Sequence, residues 1–345
     1  VKLPAWDCLP YDRISPSNSN VHTRLHALAH LSQPITKKTV LITSVNSLVQ
    51  KLLPKDVMAK SCLKLSANKN ISQHNLIKYL SENGYNRSNT ANFPGEFAVR
   101  GGILDLITLN NLTGYRVDFF GDKIDSIRIF DIDSQISTGK VKEVFLTPMS
   151  EVILNEQTIN SFQLKYRQSF GFVDDALFES VTLGKKYSGQ EHWLPLFYEN
   201  TDTILDYIPD NSLVVGELSL QDIALERSEY ILQQYESRAK SNAANDSSYL
   251  PIKPDTLYLS SQEVKKSFET SDVLTISQYA FDLEKGNFRH CQNLHLEAKT
   301  KNVHSLKLLK QVCAKNPSSV FLISCFSEGS LERIKGMLED YDLVV

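Results

Sequence analysis

The chain has 345 residues, of which 41% are apolar and 22% charged, and its formal net charge at pH 7 is −3. That length predicts two or three domains of ordinary globular composition, which excludes a fibrous or wholly disordered protein. No run of about 18 apolar residues predicts a membrane span, the slightly acidic balance does not favour a dedicated nucleic-acid binder, and five cysteines without a Cys-x-x-Cys pair read as reduced thiols of a cytoplasmic protein.

Val1-Lys2-Leu3-Pro4 carries neither an initiator Met nor a signal-peptide pattern. A turn-rich aromatic segment follows from Trp6 almost at once, which reads as a chain beginning partway into a longer protein. Val21, Leu25, Leu28 and Leu31 recur at helical spacing. Thr39 to Val45 reads as a buried β-branched strand, and Leu48 to Leu53 as a helix stopped by Pro54. Strand followed by helix suggests a parallel α/β sheet.

The character changes from Lys55 to about Pro148. Asn75 to Asn83 predicts a helix ending at Gly84. Short alternating strands come next over Glu96–Ile107, Tyr115–Phe120 and Ile124–Phe130, with turns at Asn110–Gly114 and Gly121-Asp122. Their tight spacing predicts antiparallel hairpins in a small α+β domain. Glu151 to Gln190 is part helical, Ser212 to Val215 predicts a strand, and Asp222 to Arg238 an amphipathic helix. Ser237 to Pro254 is polar and reads as a loop, Thr256 to Leu259 as a strand and Gln262 to Glu269 as a helix. Val273 to Val303 is the least patterned stretch. Helix Val303–Lys315, strand Ser319–Ser324 and helix Glu328–Glu339 form a last α/β element.

No Gly-x-x-x-x-Gly-Lys-Ser/Thr stretch is present to cradle a phosphate, so nucleotide hydrolysis is not expected. His22, His26 and His30 fall on one helix face at i, i+4 and i+8, a spacing that could hold Zn²⁺. The plainer reading is a polar face opposite Leu25 and Leu28. No Asp or Glu stands at matching spacing, so no metal is assigned.

The strongest local signal is the hairpin region. Alternation puts Tyr115, Val117 and Phe119 on an apolar face, and Arg116, Asp118 and Phe120 on the other. Arg128 and Phe130 fall with Arg116 and Phe120 if the register allows, and Arg100 precedes Gly101-Gly102, read as a bulge or close backbone approach. Arg and Phe side by side suggest a protein–protein surface. The competing reading is an Arg–Asp ion-pair lattice on a solvated face, with the Phe covered by a neighbouring segment.

Pro94-Gly-Glu-Phe-Ala-Val-Arg-Gly-Gly-Ile-Leu-Asp105 and Tyr115-Arg-Val-Asp-Phe-Phe-Gly-Asp-Lys-Ile-Asp-Ser-Ile-Arg-Ile-Phe-Asp131, continued by Asp133-Ser-Gln135, resemble the Mfd family of transcription-repair coupling factors. Trp6-Asp-Cys-Leu-Pro-Tyr-Asp12, Ser15-Pro16, His192-Trp-Leu-Pro-Leu-Phe197 and Tyr207-Ile-Pro-Asp210 extend the likeness over nearly the whole chain. This part of the family is similar to the repair protein UvrB. The resemblance implies an α/β architecture: a degenerate RecA-like parallel-sheet domain split by inserted smaller α+β domains, with the start of a further small α/β domain. The RecA-like part would span 1–58 and 201–275, its first strand preceding Trp6 and outside this chain, with 201–246 also open to packing on the inserted domain. A UvrA-docking domain would span 59–148, a second insert 149–200, a linker 276–302 and the further domain 303–345.

The resemblance also implies that Arg100, Arg116 and Phe120 occupy UvrA-contacting positions, with Arg128 beside them. UvrB carries an Asp-Glu-Ser-His box where this chain has Gly216-Glu-Leu-Ser219, so one carboxylate of a Mg²⁺–phosphate site is gone. UvrB's long aromatic hairpin is also replaced by the short polar Asp12–Val21. A non-catalytic, cofactor-free recruitment module for nucleotide excision repair is therefore expected, monomeric and docking UvrA. RNA polymerase and duplex DNA would be engaged only through parts of the family's longer proteins, which resemble ATP-dependent DNA translocases. The alternatives are a UvrB-like ATPase acting on damaged DNA, and nonspecific DNA binding.

Overall fold

The computed structural model describes residues 1–108, 113–173, 175–245, 249–269, 272–276 and 293–343. It is a mixed α/β structure with several small sheets, none of them a closed barrel among the described residues. Two compact units divide it, Val1–Ser277 and Gln278–Val345.

The first unit opens with β1 (Lys2–Leu3) and helix α1 (Asn18–Leu31). The Ser17 hydroxyl accepts from the Asn20 N–H and starts α1. As its spacing predicts, α1 buries Leu25, Leu28 and Leu31. Buried Arg24 on the same helix forms a two-pronged ion pair with Glu151, at 2.5 and 3.0 Å, and the Trp6 indole N–H donates to the same carboxylate at 3.1 Å. One polar knot thus ties the entry segment, α1 and the segment after the small domain together.

The expected strand over Thr39–Val45 shrinks to β2 (Ile42–Thr43), parallel to β1, with Val40 and Ile42 exposed. A buried parallel strand needs neighbours on both sides, and among the described residues β2 has one. The expected helix Leu48–Leu53 is also corrected. α2 (Val45–Leu48) is a single turn, after which Gln50 and Leu52 bridge to Tyr258 and Asp202 in extended form. Pro54 does not stop a helix but caps the start of α3 (Lys55–Ser61).

The small domain holds β3 (Leu63–Ser66), α4 (Gln73–Glu82), β4 (Asn86–Arg87), β5 (Glu96–Arg100), β6 (Ile103–Ile107), β7 (Gly114–Phe120), β8 (Lys123–Phe130), β9 (Ser137–Val141) and β10 (Glu143–Leu146). β4 to β9 form one six-stranded sheet in chain order, antiparallel except for β4 on β5. One face packs Phe97, Leu104, Leu106, Val117, Ile124 and Ile127 against Leu76 and Leu80 of α4. β9 does not figure among the predicted strands, and residues 110–112 of the predicted Asn110–Gly114 turn lie outside the described residues.

Then come α5 (Glu156–Phe170), α6 (Ala176–Thr182), α7 (Leu194–Phe197), α8 (Ile204–Tyr207), β11 (Leu213–Glu217) and α9 (Leu220–Asn245). α9 continues through the first residues of the expected loop Ser237–Pro254, since Ser237 to Asn245 contains no Pro or Gly to end it. Thr256–Leu259 is not a strand. α10 (Pro254–Leu257) is a turn started by Pro254, and only Tyr258 bridges to Gln50. After α11 (Ser261–Glu269), β12 (Asp272–Ile276) pairs in parallel with β11. Among the described residues, parallel pairing is confined to the isolated two-stranded sheets β1·β2 and β11·β12 and to the short β4·β5 contact.

The second unit comprises α12 (Leu294–Lys301), α13 (Ser305–Lys315) and α14 (Glu328–Glu339). α12 lies within the stretch that reads as linker; residues 277–292 of that stretch, with Cys291, lie outside the described residues. The expected strand Ser319–Ser324 is absent, and Val320 and Leu322 are exposed, because no described strand of the unit is available to pair with it.

Candidate docking surface

The second face of the six-stranded sheet carries all four candidate residues. Antiparallel register fixes their neighbours. Arg116 on β7 stands directly opposite Asp105 on β6 and Arg128 on β8, and Arg128 stands opposite Lys140 on β9. The next row reads Arg100, Ile103, Asp118, Ser126. Beyond it, at the β7–β8 turn, Phe120 faces Lys123.

Within that frame the arginines differ sharply. Arg116 Nε and Nη2 donate to the two Asp105 oxygens at 2.7 and 2.9 Å. Its Nη1 reaches the Gln135 carbonyl at 3.3 Å and Ser137 Oγ at 3.4 Å. Arg128 reaches diagonally to Asp118 at 2.9 and 2.6 Å, and Asp118 also accepts from Ser126 Oγ at 2.7 Å. Such forked pairs hold both planes in one orientation. The hydrogen bond that Arg116 donates to Asp105 raises the Arg116 pKa, and the one that Arg128 donates to Asp118 raises that of Arg128. Partial burial pushes Asp118 up, but the hydrogen bonds from Arg128 and Ser126 outweigh it and hold the carboxyl below its ordinary value.

Arg100 is exposed. Its Nη2 donates to the Asn89 carbonyl at 3.2 Å and to Thr90 Oγ1 at 2.6 Å, and among the described residues no carboxylate pairs with it. Gly101-Gly102 is a tight two-residue turn and not a bulge. Gly101 has φ +59°, and the Gly102 carbonyl accepts from the Phe119 N–H at 2.8 Å. The close backbone approach is real, since a Cβ on Gly102 would lie 3.3 Å from the Phe119 carbonyl oxygen.

Phe120 is 84% exposed, and among the described residues no neighbouring segment covers it. The ion-pair lattice and the free aromatic therefore coexist on one face. Phe130 is the exception to the alternation reading. It shares the face but is buried, stacked under the Arg116 guanidinium at 5.0 Å and filling the space above Gly114, where a Cβ would lie 2.3 Å from its ring.

Lys123 and Lys140 were not singled out by sequence. The two-residue turn could have placed Lys123 opposite Phe120. Nothing local marks Lys140, because the Ser-Thr-Gly-Lys-Val strand that carries it is weakly apolar.

The other candidates give less. His22, His26 and His30 do not come together as a metal centre: no group of three or more His, Cys, Asp or Glu side chains is placed to hold an ion among the described residues. Glu217 ends β11 beside a cavity of about 220 Å³ lined by Val214, Leu220, Phe268 and Thr275. Gly216 is pressed there against Leu220, whose Cδ1 lies 2.8 Å from where a Cβ would be.

Residues 63–152, the hairpin sheet and its helix, match the UvrB interaction domain family. Along the chain, similarity runs to the transcription-repair-coupling factors. That of Rickettsia bellii is 34% identical over 343 residues, 99% of this chain and 30% of the relative. That of Haemophilus influenzae is 30% identical over 276 residues, 79% of this chain and 24% of the relative, and that of Escherichia coli 32% identical over 241 residues, 69% and 21%. The chain spans about 30% of the length of the Rickettsia relatives.

Proposed function

This chain belongs to the transcription-repair-coupling factor family and carries its UvrB interaction domain, and we propose that it recruits a UvrA-type repair protein through the exposed face of the β4–β9 sheet. One observation carries the reading: a large aromatic, Phe120, stands 84% exposed at the end of a sheet face on which Arg116 and Arg128 are held by Asp105 and Asp118. Exposing a phenyl ring to water is unfavourable, and a rigid aromatic beside arginines is the usual composition of an interface anchor.

Phe120 would enter an apolar pocket of the partner, while Arg100 and the outer edge of Arg128 meet acidic groups on its rim. Arg116 is already satisfied by Asp105, Gln135 and Ser137. Its part in docking is to hold the face flat and the lattice in place, which lowers the ordering entropy lost on binding. The two parallel pairs β1·β2 and β11·β12 support reading the remainder of the first unit as a degenerate RecA-like domain. The module acts by docking and not by hydrolysis.

The test is titration of purified UvrA into this chain beside the Phe120→Ala variant, followed by calorimetry. Binding by wild type and its loss in the variant supports the reading. Equal binding by both places the partner elsewhere.

A further inference from the structure

Three cations on this face have no counter-ion among the described residues. Among the described residues no ion pair or hydrogen bond engages the ammonium of Lys123 or of Lys140, and Arg100 bonds only to neutral oxygens. Lys123 lies across from Phe120, and Lys140 continues the Arg116–Arg128 row onto the outer strand β9. Both lysines are exposed.

Asp105 and Asp118 are consumed by Arg116 and Arg128. Glu96, at the far end of the face, is turned to the backbone N–H groups of Asn92 and Phe93, at 2.9 and 3.1 Å. Arg100, Lys123 and Lys140 are thus the cations of this face that no carboxylate engages among the described residues, with Asp122 and Asp125 exposed beside Lys123 at the turn. The two paired arginines project little, because each sits within 3 Å of an opposite charge and their fields cancel at longer range.

The geometry points to Lys123 and Lys140 as the residues that steer the docking partner, together with Arg100, toward an acidic rim around the pocket that takes Phe120. This rests on the docking function proposed above and adds a division of labour to it. The unpaired lysines govern the rate of encounter, whereas the apolar anchor governs residence. Free charges at the edge of an interface change the association rate and its salt dependence far more than the dissociation rate. Among the described residues neither ammonium makes an ion pair or hydrogen bond. Lys140 stands opposite Arg128, so Lys123→Glu alone is the variant that leaves the Arg128–Asp118 pair untouched.

The test is stopped-flow association of the full chain with purified UvrA across an ionic-strength series, using wild type, Lys123→Glu, Lys123→Glu/Lys140→Glu and Lys123→Arg/Lys140→Arg. The expected result at low salt is an association rate about tenfold lower for the double Glu variant, a smaller fall for Lys123→Glu, and a flatter salt dependence. Dissociation should stay within about twofold, and the Arg variant should match wild type. An unchanged association rate in either Glu variant overturns the steering role while leaving docking itself intact. Failure of wild type to bind UvrA overturns docking and steering together. Random duplex DNA that competes with UvrA for wild type but not for the double Glu variant would also overturn it, by assigning the lysines to a nucleic acid.

Discussion

Phe120→Ala separates binding from folding more cleanly than any other change on this surface. A phenylalanine side chain removes roughly 150–250 Å² from water when fully buried. At 84% exposure Phe120 has spent little of that on the fold, so capture by a partner would remove on the order of 150 Å², or about 4 kcal/mol at ~25 cal/mol per Å². Alanine keeps the Cβ, and the bound ring loses rotamer freedom. The expected loss of affinity is therefore about 2–3 kcal/mol, roughly 30- to 150-fold in Kd. Stability should hardly move, within about 0.5 kcal/mol by urea denaturation. Isothermal titration with UvrA reads the first quantity and the unfolding curve the second. A variant that binds within twofold of wild type would refute the anchor. A variant that unfolds early would show that the ring packs on its own domain and is not free.

Arg116→Glu should behave in the opposite way: it places a third carboxylate beside Asp105 and Asp118 and strips the stack from Phe130, so it should destabilise the small domain by about 2–4 kcal/mol, measured by urea unfolding. Gly114→Ala drives a Cβ into the Phe130 ring and should cost about 1–3 kcal/mol, with partial recovery in Gly114→Ala/Phe130→Leu; equal stability of the single variant and wild type would refute the overlap. Arg24→Met leaves Glu151 buried without its cation and should cost about 3–5 kcal/mol by thermal and urea unfolding, whereas Arg24→Met/Glu151→Gln should regain part of it. His192 is buried and desolvation holds its pKa near 4, so the folded state resists its protonation: the stability it contributes is complete above about pH 6.5 and is lost as pH falls toward 4, by up to about 3 kcal/mol. Burial pushes neighbouring Glu191 up and gives the opposite trend, so the readout is the difference between wild type and His192→Gln across pH 4–7, which should vanish if His192 titrates normally.

Period-two alternation separates the two faces of a strand reliably because it depends only on backbone geometry. Val117 and Ile127 are buried and Phe120 is exposed, as that alternation requires, whereas Ile124 joins the same core only because Asp125 is left unpaired at the irregularity beside Asp118 and Phe119. Which residue stands across from which depends on register, and register here is offset by irregularities after Asp118 on β7 and after Ile129 on β8. Reading each strand alone groups Phe130 with Phe120, although pairing sends Phe130 to Gly114 at the far end of the hairpin and Phe120 to Lys123 at its turn. The larger misreadings share a cause. Thr39–Val45 and Ser319–Ser324 are apolar and β-branched, and composition alone makes them strands. A strand exists only where another backbone offers its hydrogen bonds, and those partners are too few for the first and absent among the described residues for the second.

Cross-strand pairing also makes an Arg-rich motif a poor guide to charge. Arg100, Arg116 and Arg128 look equivalent in the sequence, yet their effect at a distance is decided by residues on other strands. Asp105 lies 11 residues before Arg116, and Asp118 lies 10 before Arg128, each brought alongside only by a hairpin. Pairing converts two of the three arginines from sources of field into rigid struts. Lys140 sits on a strand with no hydrophobic signature and remains a full charge. A surface built this way can keep its paired arginines for shape and fold while its free lysines change with the charge of the partner. The docking rate should therefore follow the number of unpaired cations on the face, and the stability of the small domain should follow the paired ones.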